Sequence, residues 1–142
     1  LHALTSFPNN QQALRIVLTR FAGVTPKVVN YRTFHVGSEN EHYKLTIDEY
    51  DGPKGYYALS THNQSTFSVK KGVIDRDKCY KSQSGGWWFN ECTKANLNAQ
   101  KLNISTLTKP GITWIIEGEP ESYSYTYHKV EMQIRDADFG FC

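Results

Sequence analysis

The sequence predicts a β-rich domain in which strands are separated by loops, with at most short helices, and three observations lead there. Nine tyrosines stand against one methionine, and aromatic residues make up 13% of the chain, which favours a hydrogen-bonded sheet interior over a helical bundle. Apolar and polar residues alternate with period two around Leu14-Ile16-Leu18, from Tyr43 to Ile47, and through Val130-Met132-Ile134. Residues 60 to 86 are irregular and rich in Ser, Thr, Asn, Gly and Lys, as expected of a long functional or stapled loop region. The 142 residues suit one domain with a real core.

Taken in order, Leu1-His2-Ala3-Leu4 reads as the end of an element, and Ser6 before Phe7-Pro8 is placed to cap a short helical turn. A strand is expected from Ala13 to Phe21, broken by Gly23 to Pro26. Val28 to Val36 is β-branched and aromatic, but its alternation slips near Thr33, where a bulge is expected. Tyr43 to Ile47 forms the next strand, and Asp51-Gly52-Pro53-Lys54-Gly55 is a surface turn. Lys109-Pro110-Gly111 is another turn, leading into the apolar run Ile112 to Ile116, which carries Trp114. Val130, Met132 and Ile134 mark the clearest strand, and no internal repeat is present.

The segment Cys79 to Cys92 encloses Gly85-Gly86 and the aromatics Trp87-Trp88-Phe89, and reads as a stapled loop folded over an apolar anchor. Closing such a loop stabilises by roughly 3 kcal/mol in the chain-entropy picture. Three cysteines leave one over, and Cys142 is the candidate for a bridge to another chain or to a missing segment. Asn63-Gln64-Ser65 and Asn103-Ile104-Ser105 satisfy the N-glycosylation pattern, so Asn63 and Asn103 are candidate acceptors and secretion is expected. The longest apolar runs are a few residues, which leaves no signal peptide and no transmembrane span, and suits a mature or truncated chain. A net charge of +2 without a basic block gives no reason to expect nucleic acid or membrane insertion.

Asp75 and Asp77 are candidate calcium ligands, although the Asp75-Arg76-Asp77 run lacks the third acid, the glycine and the final glutamate of an EF-hand and also suits a solvated turn. The five histidines show no metal-ligand spacing, so zinc is not expected. No Gly-x-Ser-x-Gly elbow, His-Glu-x-x-His helix or phosphate-cradling loop occurs, and an enzyme is not expected. On a strand, three consecutive aromatics point to alternate faces, so at least one of Trp87-Trp88-Phe89 should be core and one should face the opposite side; two readings follow, that all three are core or second-layer packing, or that one ring walls a small-ligand pocket beside the loop.

Gly85-Gly86-Trp87-Trp88-Phe89 between cysteines, Cys92-Thr93-Lys94-Ala95-Asn96-Leu97-Asn98, Gly111-Ile112-Thr113-Trp114 and Lys129 to Arg135 together resemble the C-terminal part of a fibrinogen-related domain. Upstream, Leu1 to Thr5, Leu14-Arg15-Ile16, Tyr31-Arg32-Thr33-Phe34 and Tyr43-Lys44-Leu45 resemble the same family in the same order, so the likeness spans essentially all residues. The resemblance implies an α+β fold: a twisted, mainly antiparallel sheet with short helices and a long loop-rich C-terminal portion stapled by one disulfide. It implies that residues 1–142 are the central and C-terminal subdomains only, without the usual N-terminal subdomain. It also places the family's loop disulfide on Cys79 and Cys92, and a cis peptide at Glu91–Cys92.

The family is extracellular and non-enzymatic, and recognises acetylated sugars, polymerisation peptides or protein receptors. Carried over, the expected ligand pocket lies beside the Cys79–Cys92 loop at Trp88, Glu91, Cys92, Thr93 and Asn98. The chain departs from the family in three places. Lys70 and Lys71 lie near the calcium region and repel a divalent cation. Thr93 stands where acetyl-binding members carry histidine, and Lys109 stands near the acidic position of peptide-binding members. The resulting expectation is a secreted recognition module, lectin-like or defence-type, for glycans or acetylated ligands. The alternative is a structural or receptor-binding domain that has lost the sugar pocket and the calcium site.

Overall fold

The computed structural model describes residues 1–8, 10–69, 72–73, 82–83, 85–90, 94–100 and 111–138. Its elements are α1 (His2–Thr5), β1 (Gln12–Thr19), β2 (Lys27–Val36), β3 (Leu45–Asp51), β4 (Ser68–Val69), β5 (Gly72–Val73), β6 (Ser82–Gln83), β7 (Gly86–Trp87), β8 (Ala95–Asn96), β9 (Thr113–Trp114) and β10 (Lys129–Asp136). Tight 3-10 turns occupy Glu39–Glu41, Ala58–His62 and Pro120–Ser124. β10, β1, β2 and β3 form one antiparallel sheet in that order, and the two-residue strands pair as β4 with β7, β5 with β6, and β8 with β9. Among the described residues no helix is long and apolar enough to cross a membrane.

The alternation read in β1 and β10 is what builds the sheet's core face. Leu14 lies between Ile134 and Tyr31, Ile16 between Met132 and Val29, and Leu18 between Val130 and Lys27. Leu14, Ile16 and Leu18 are all buried, each burial stabilising by roughly 1.5–3 kcal/mol. β10 is an edge strand, and its inward residues Val130 and Ile134 are only partly covered, while Met132 is exposed.

The slip expected near Thr33 is present, but its form differs from a one-strand bulge. Val29 and Tyr31 face the core before it, Phe34 and Val36 after it. β3 slips in step, with Tyr50 opposite Tyr31 on one side and Ile47 and Leu45 opposite Phe34 and Val36 on the other. Because both strands change face together, the register is preserved, with Tyr31 opposite Tyr50 before the step at Arg32 and Glu49 and Thr33 opposite Asp48 after it. Glu49 takes up the turn with φ of 56°, its N–H donating to Asp48 Oδ1 at 2.7 Å. β3 also begins at Leu45 instead of Tyr43, since His42 and Tyr43 are both left-handed, with φ of 52° and 51°, and make the turn out of Glu39–Glu41. The central tyrosine of the sheet, Tyr31, reaches Ser60 Oγ at 3.1 Å, and burial pushes its hydroxyl pKa up to about 12.

At the start of the chain, the helix precedes Ser6 instead of following it. The Ser6 hydroxyl donates to His2 O at 2.7 Å and closes the end of α1. Thr5 then docks α1 on the end of β2: its Oγ1 accepts from the buried Val36 N–H at 2.9 Å, while Thr5 O lies 2.8 Å from His35 Nδ1. Thr5→Val keeps the shape but orphans the Val36 amide, and should lower stability by about 1–3 kcal/mol, with Thr5→Ser much closer to the parent; urea denaturation of the three proteins measures this.

Candidate functional site

A broad concavity lies where the partly covered face of β10 meets the aromatic segment. It is a groove of about 470 Å3. Leu14, Met132 and Ile134 of the sheet line one side, Trp87, Leu97 and Asn98 the other, with Phe67 and Leu1 also in contact. Its lining is hydrocarbon and aromatic apart from Asn98 and the backbone of Gly86, and the Asn98 amide donates to Gly86 O at 2.9 Å. The Trp87 indole N–H is buried without a hydrogen-bond partner.

Two glycines set the approach of these segments. Gly85 has φ of +78°, and a Cβ there would sit 2.3 Å from Asn98 O; a Cβ on Gly86 would sit 2.6 Å from the Phe67 ring. The backbone contact leaves Gly85 no alternative, whereas the Phe67 ring has room to give. Gly85→Ala should therefore destabilise by about 2 kcal/mol or more and exceed Gly86→Ala, as read from thermal midpoints.

Trp87, Trp88 and Phe89 are all buried, as the core-packing reading has it and not divided between two faces, while Trp87 and Trp88 also line the groove. The strand ends at Trp87, so the two-residue alternation has nothing to act on beyond it. Trp88 instead packs edge-on to Phe34, Phe67 and Trp87, and its indole N–H donates to Tyr43 O at 2.8 Å. The Asn90 amide donates to Thr61 O at 2.8 Å.

The residue that orders this region is His62, fully buried in the Ala58–His62 turn. Its Nδ1 donates to Trp88 O at 2.7 Å, and its Nε2 accepts from the N–H groups of Lys94 and Ala95, both at 3.1 Å. The ring is thus neutral, and it ties together the two sides of segment 91–93. Burial first, then the Lys94 charge, hold its pKa below the ordinary 6.5, against the raising effect of the Trp88 carbonyl. The folded protein then binds fewer protons than the unfolded chain below neutrality. This contribution to stability is complete above about pH 6.5 and is lost as pH falls toward the folded-state value. Urea midpoints should fall between pH 7.5 and 5, His62→Gln should cost about 3 kcal/mol at the higher pH, and the variant's pH slope should be shallower. An identical slope in parent and variant would assign the pH effect elsewhere.

Of the sequence-predicted ligand residues, Trp88 and Asn98 meet at the groove. Glu91, Cys92 and Thr93, the Glu91–Cys92 peptide bond, Asp75, Asp77, Cys79, Asn103, Lys109 and Cys142 lie outside the described residues. Asn63 is exposed; its Oδ1 accepts from Ile47 N–H at 3.0 Å, which leaves the glycan-accepting Nδ2 uninvolved in that bond. Among the described residues no group of three or more His, Cys, Asp or Glu side chains is placed to hold a metal ion.

The sequence profile of the C-terminal globular domain of fibrinogen β and γ chains matches residues 1–137. The chain belongs to the fibrinogen C-terminal globular family. Within it, the chain is 36% identical to angiopoietin-related protein 7 of Bos taurus over 143 residues and 35% identical to the human protein, in both cases over 98% of this chain. It is 33% identical to ryncolin-4 of Cerberus rynchops over 95% of its length. The chain spans about two fifths of the length of these curated relatives, 40%, 39% and 38% respectively. The fibrinogen-like globe domain of human ANGPTL2 superposes with a TM-score of 0.72 at 27% identity, covering 96% of this chain and 62% of that one. Lamprey fibrin D-dimer shares the fold at a TM-score of 0.67 and 22% identity, covering 96% of this chain and 48% of that one. The fibrinogen-like globe is thus built here from an antiparallel sheet with few short helices, and the groove sits between its edge strand and the loop-rich C-terminal half.

Proposed function

We propose that this fibrinogen-like globe is an extracellular, non-enzymatic recognition module that receives an apolar segment of a protein ligand in the groove between β10 and the Gly86–Trp88 segment. The observation that carries this reading is the groove's lining: about 470 Å3 bounded by Leu14, Phe67, Trp87, Leu97, Met132 and Ile134, with scarcely a free polar group. A hydroxyl-rich ligand set against that surface leaves polar atoms unpaired, at roughly 1–3 kcal/mol each. An apolar side chain gains about 25 cal/mol for every Å2 it buries there. The family relationship supports recognition over catalysis, and the stapled-loop cysteines and the Asn63 and Asn103 sequons support an oxidising, extracellular setting. The lamprey neighbour, a fibrin D-dimer, is complexed with the peptide ligand Gly-His-Arg-Pro-amide.

A second reading is an acetylated ligand held beside Trp88, Glu91, Cys92, Thr93 and Asn98, and one observation favours it. Two residues of that set, Trp88 and Asn98, both line the groove, and Asn98 brings a polar side chain to its apolar wall. Calcium at Asp75 and Asp77 and an interchain bridge through Cys142 belong to the same proposal as auxiliary features of the site and its assembly.

The two readings separate by experiment. Random peptides selected on the parent domain should be rich in apolar residues, should bind with a change in tryptophan fluorescence, and should lose about tenfold or more in affinity in Met132→Asp. An acetylated-glycan array probed with calcium and with chelator should stay blank. Saturable array binding that survives Met132→Asp but is lost on changing Thr93 would replace the protein-ligand reading with the acetyl one.

A further inference from the structure

A second pocket, of about 180 Å3, opens where β1 turns into β2, and it shares no lining residue with the groove. Leu18 and Arg20 come to it from the end of β1, Lys27 from the start of β2, and Tyr56 and Tyr127 from the loops beyond. Phe21 and Val24, in the intervening turn, border it and are exposed by 53% and 51%.

The Arg20 guanidinium is held by stacking. Its carbon lies 3.5 Å from the Tyr125 ring centroid and 4.8 Å from that of Phe21. A stacked guanidinium keeps its N–H groups in plane and available at its edge, where they match a carboxylate. Arg20 Nε is buried and has no hydrogen-bond partner, and among the described residues no carboxylate forms an ion pair with the group. The nearest carboxylate influence is Glu119, which accepts from the Tyr125 hydroxyl at 2.9 Å and whose charge also raises the pKa of Tyr56 and Tyr127, but it forms no ion pair with Arg20 among the described residues. A second cation, Lys27, stands with its Nζ 6.0 Å from the Tyr56 ring centroid. Burial raises the pKa of Tyr56 and Tyr127, so neither phenol adds a competing negative charge.

A guanidinium that lines a pocket without a paired carboxylate attracts an anion there, and a carboxylate at its edge forms a charge-assisted bond. We propose that this pocket recognises a carboxylate carried on an apolar frame: an acidic residue of a peptide segment whose hydrophobic neighbour rests on Phe21 and Val24. The volume is below the roughly 300–1,000 Å3 of whole small-molecule sites, so it has room for one side chain. Leu18, Phe21 and Val24 offer nothing to the hydroxyls of an acidic sugar, which favours the peptide source. The site is independent of the groove and of what the groove binds.

The test is a titration of the 15N-labelled chain with N-acetyl-Leu-Glu-Leu-amide, its Gln counterpart, and a glucuronate disaccharide. The Glu peptide should shift the Arg20 Nε–H resonance and the amides of Phe21, Val24 and Lys27 saturably, with the Gln peptide at least about tenfold weaker. Arg20→Gln should abolish the shifts in a protein shown by its melting curve to be folded. Lys27→Gln, at an exposed position, should weaken binding about threefold or more and decides the matter if Arg20→Gln is unstable. Equal shifts from the Glu and Gln peptides, no shift from either at about 10 mM, or shifts from the disaccharide alone would each overturn the assignment.

Discussion

Three backbone groups from distant parts of the chain converge on the ring of His62, and the loop-rich half of the molecule depends on that meeting. A neutral imidazole is a donor at one nitrogen and an acceptor at the other, on a rigid frame, which no other side chain of that size supplies. Here the donor takes the Trp88 carbonyl and the acceptor takes two successive amides, at Lys94 and Ala95. The strands of this half are only two residues long, so their ladders alone give it little order. Side-chain bonds to backbone carry what a longer sheet would otherwise provide, and the Trp88 and Asn90 bonds to Tyr43 and Thr61 extend the same device. Unmaking the His62 bonds takes a hydrogen-bond partner from the Trp88 carbonyl and from the Ala95 amide, both in buried residues.

The four-stranded sheet supplies the opposite kind of order. Its core face is continuous from Leu18 to Leu14 along β1, and then shifts across Arg32 and Glu49 without losing register. This shift lets one sheet turn Tyr31 and Tyr50 toward the Ala58–His62 turn while Phe34 meets Trp88. Because β10 stands at the edge, its apolar row is covered on one side only, and the groove is the uncovered remainder. At the far end of β1, the turn that follows holds the Arg20 guanidinium against the Tyr125 and Phe21 rings, with its Nε buried and without a hydrogen-bond partner. The apolar groove and the pocket of Arg20 thus lie toward the two ends of β1.

The sequence by itself determined the class of fold, the long strands β1 and β10, and the family. Period-two alternation is a local property, and it matches the structure because β1 buries one face along most of its length and β10 pairs with it residue by residue, its apolar row on the same side though only partly covered. The Gly85-Gly86 bend was equally legible, and so was the break in alternation at Thr33. What the tertiary structure alone decided is everything that depends on a partner remote in sequence. That β3 shifts face together with β2, that Tyr43 belongs to a turn, and that all three of Trp87-Trp88-Phe89 are buried follow from what packs against them, not from local spacing. His62 had no signal to find it by: metal-ligand spacing is the usual mark of a functional histidine, and its partners here are backbone atoms 26 to 33 residues away. Arg20 was invisible for the same reason, since a cation's surroundings are fixed by rings and cavities that only the folded chain brings together.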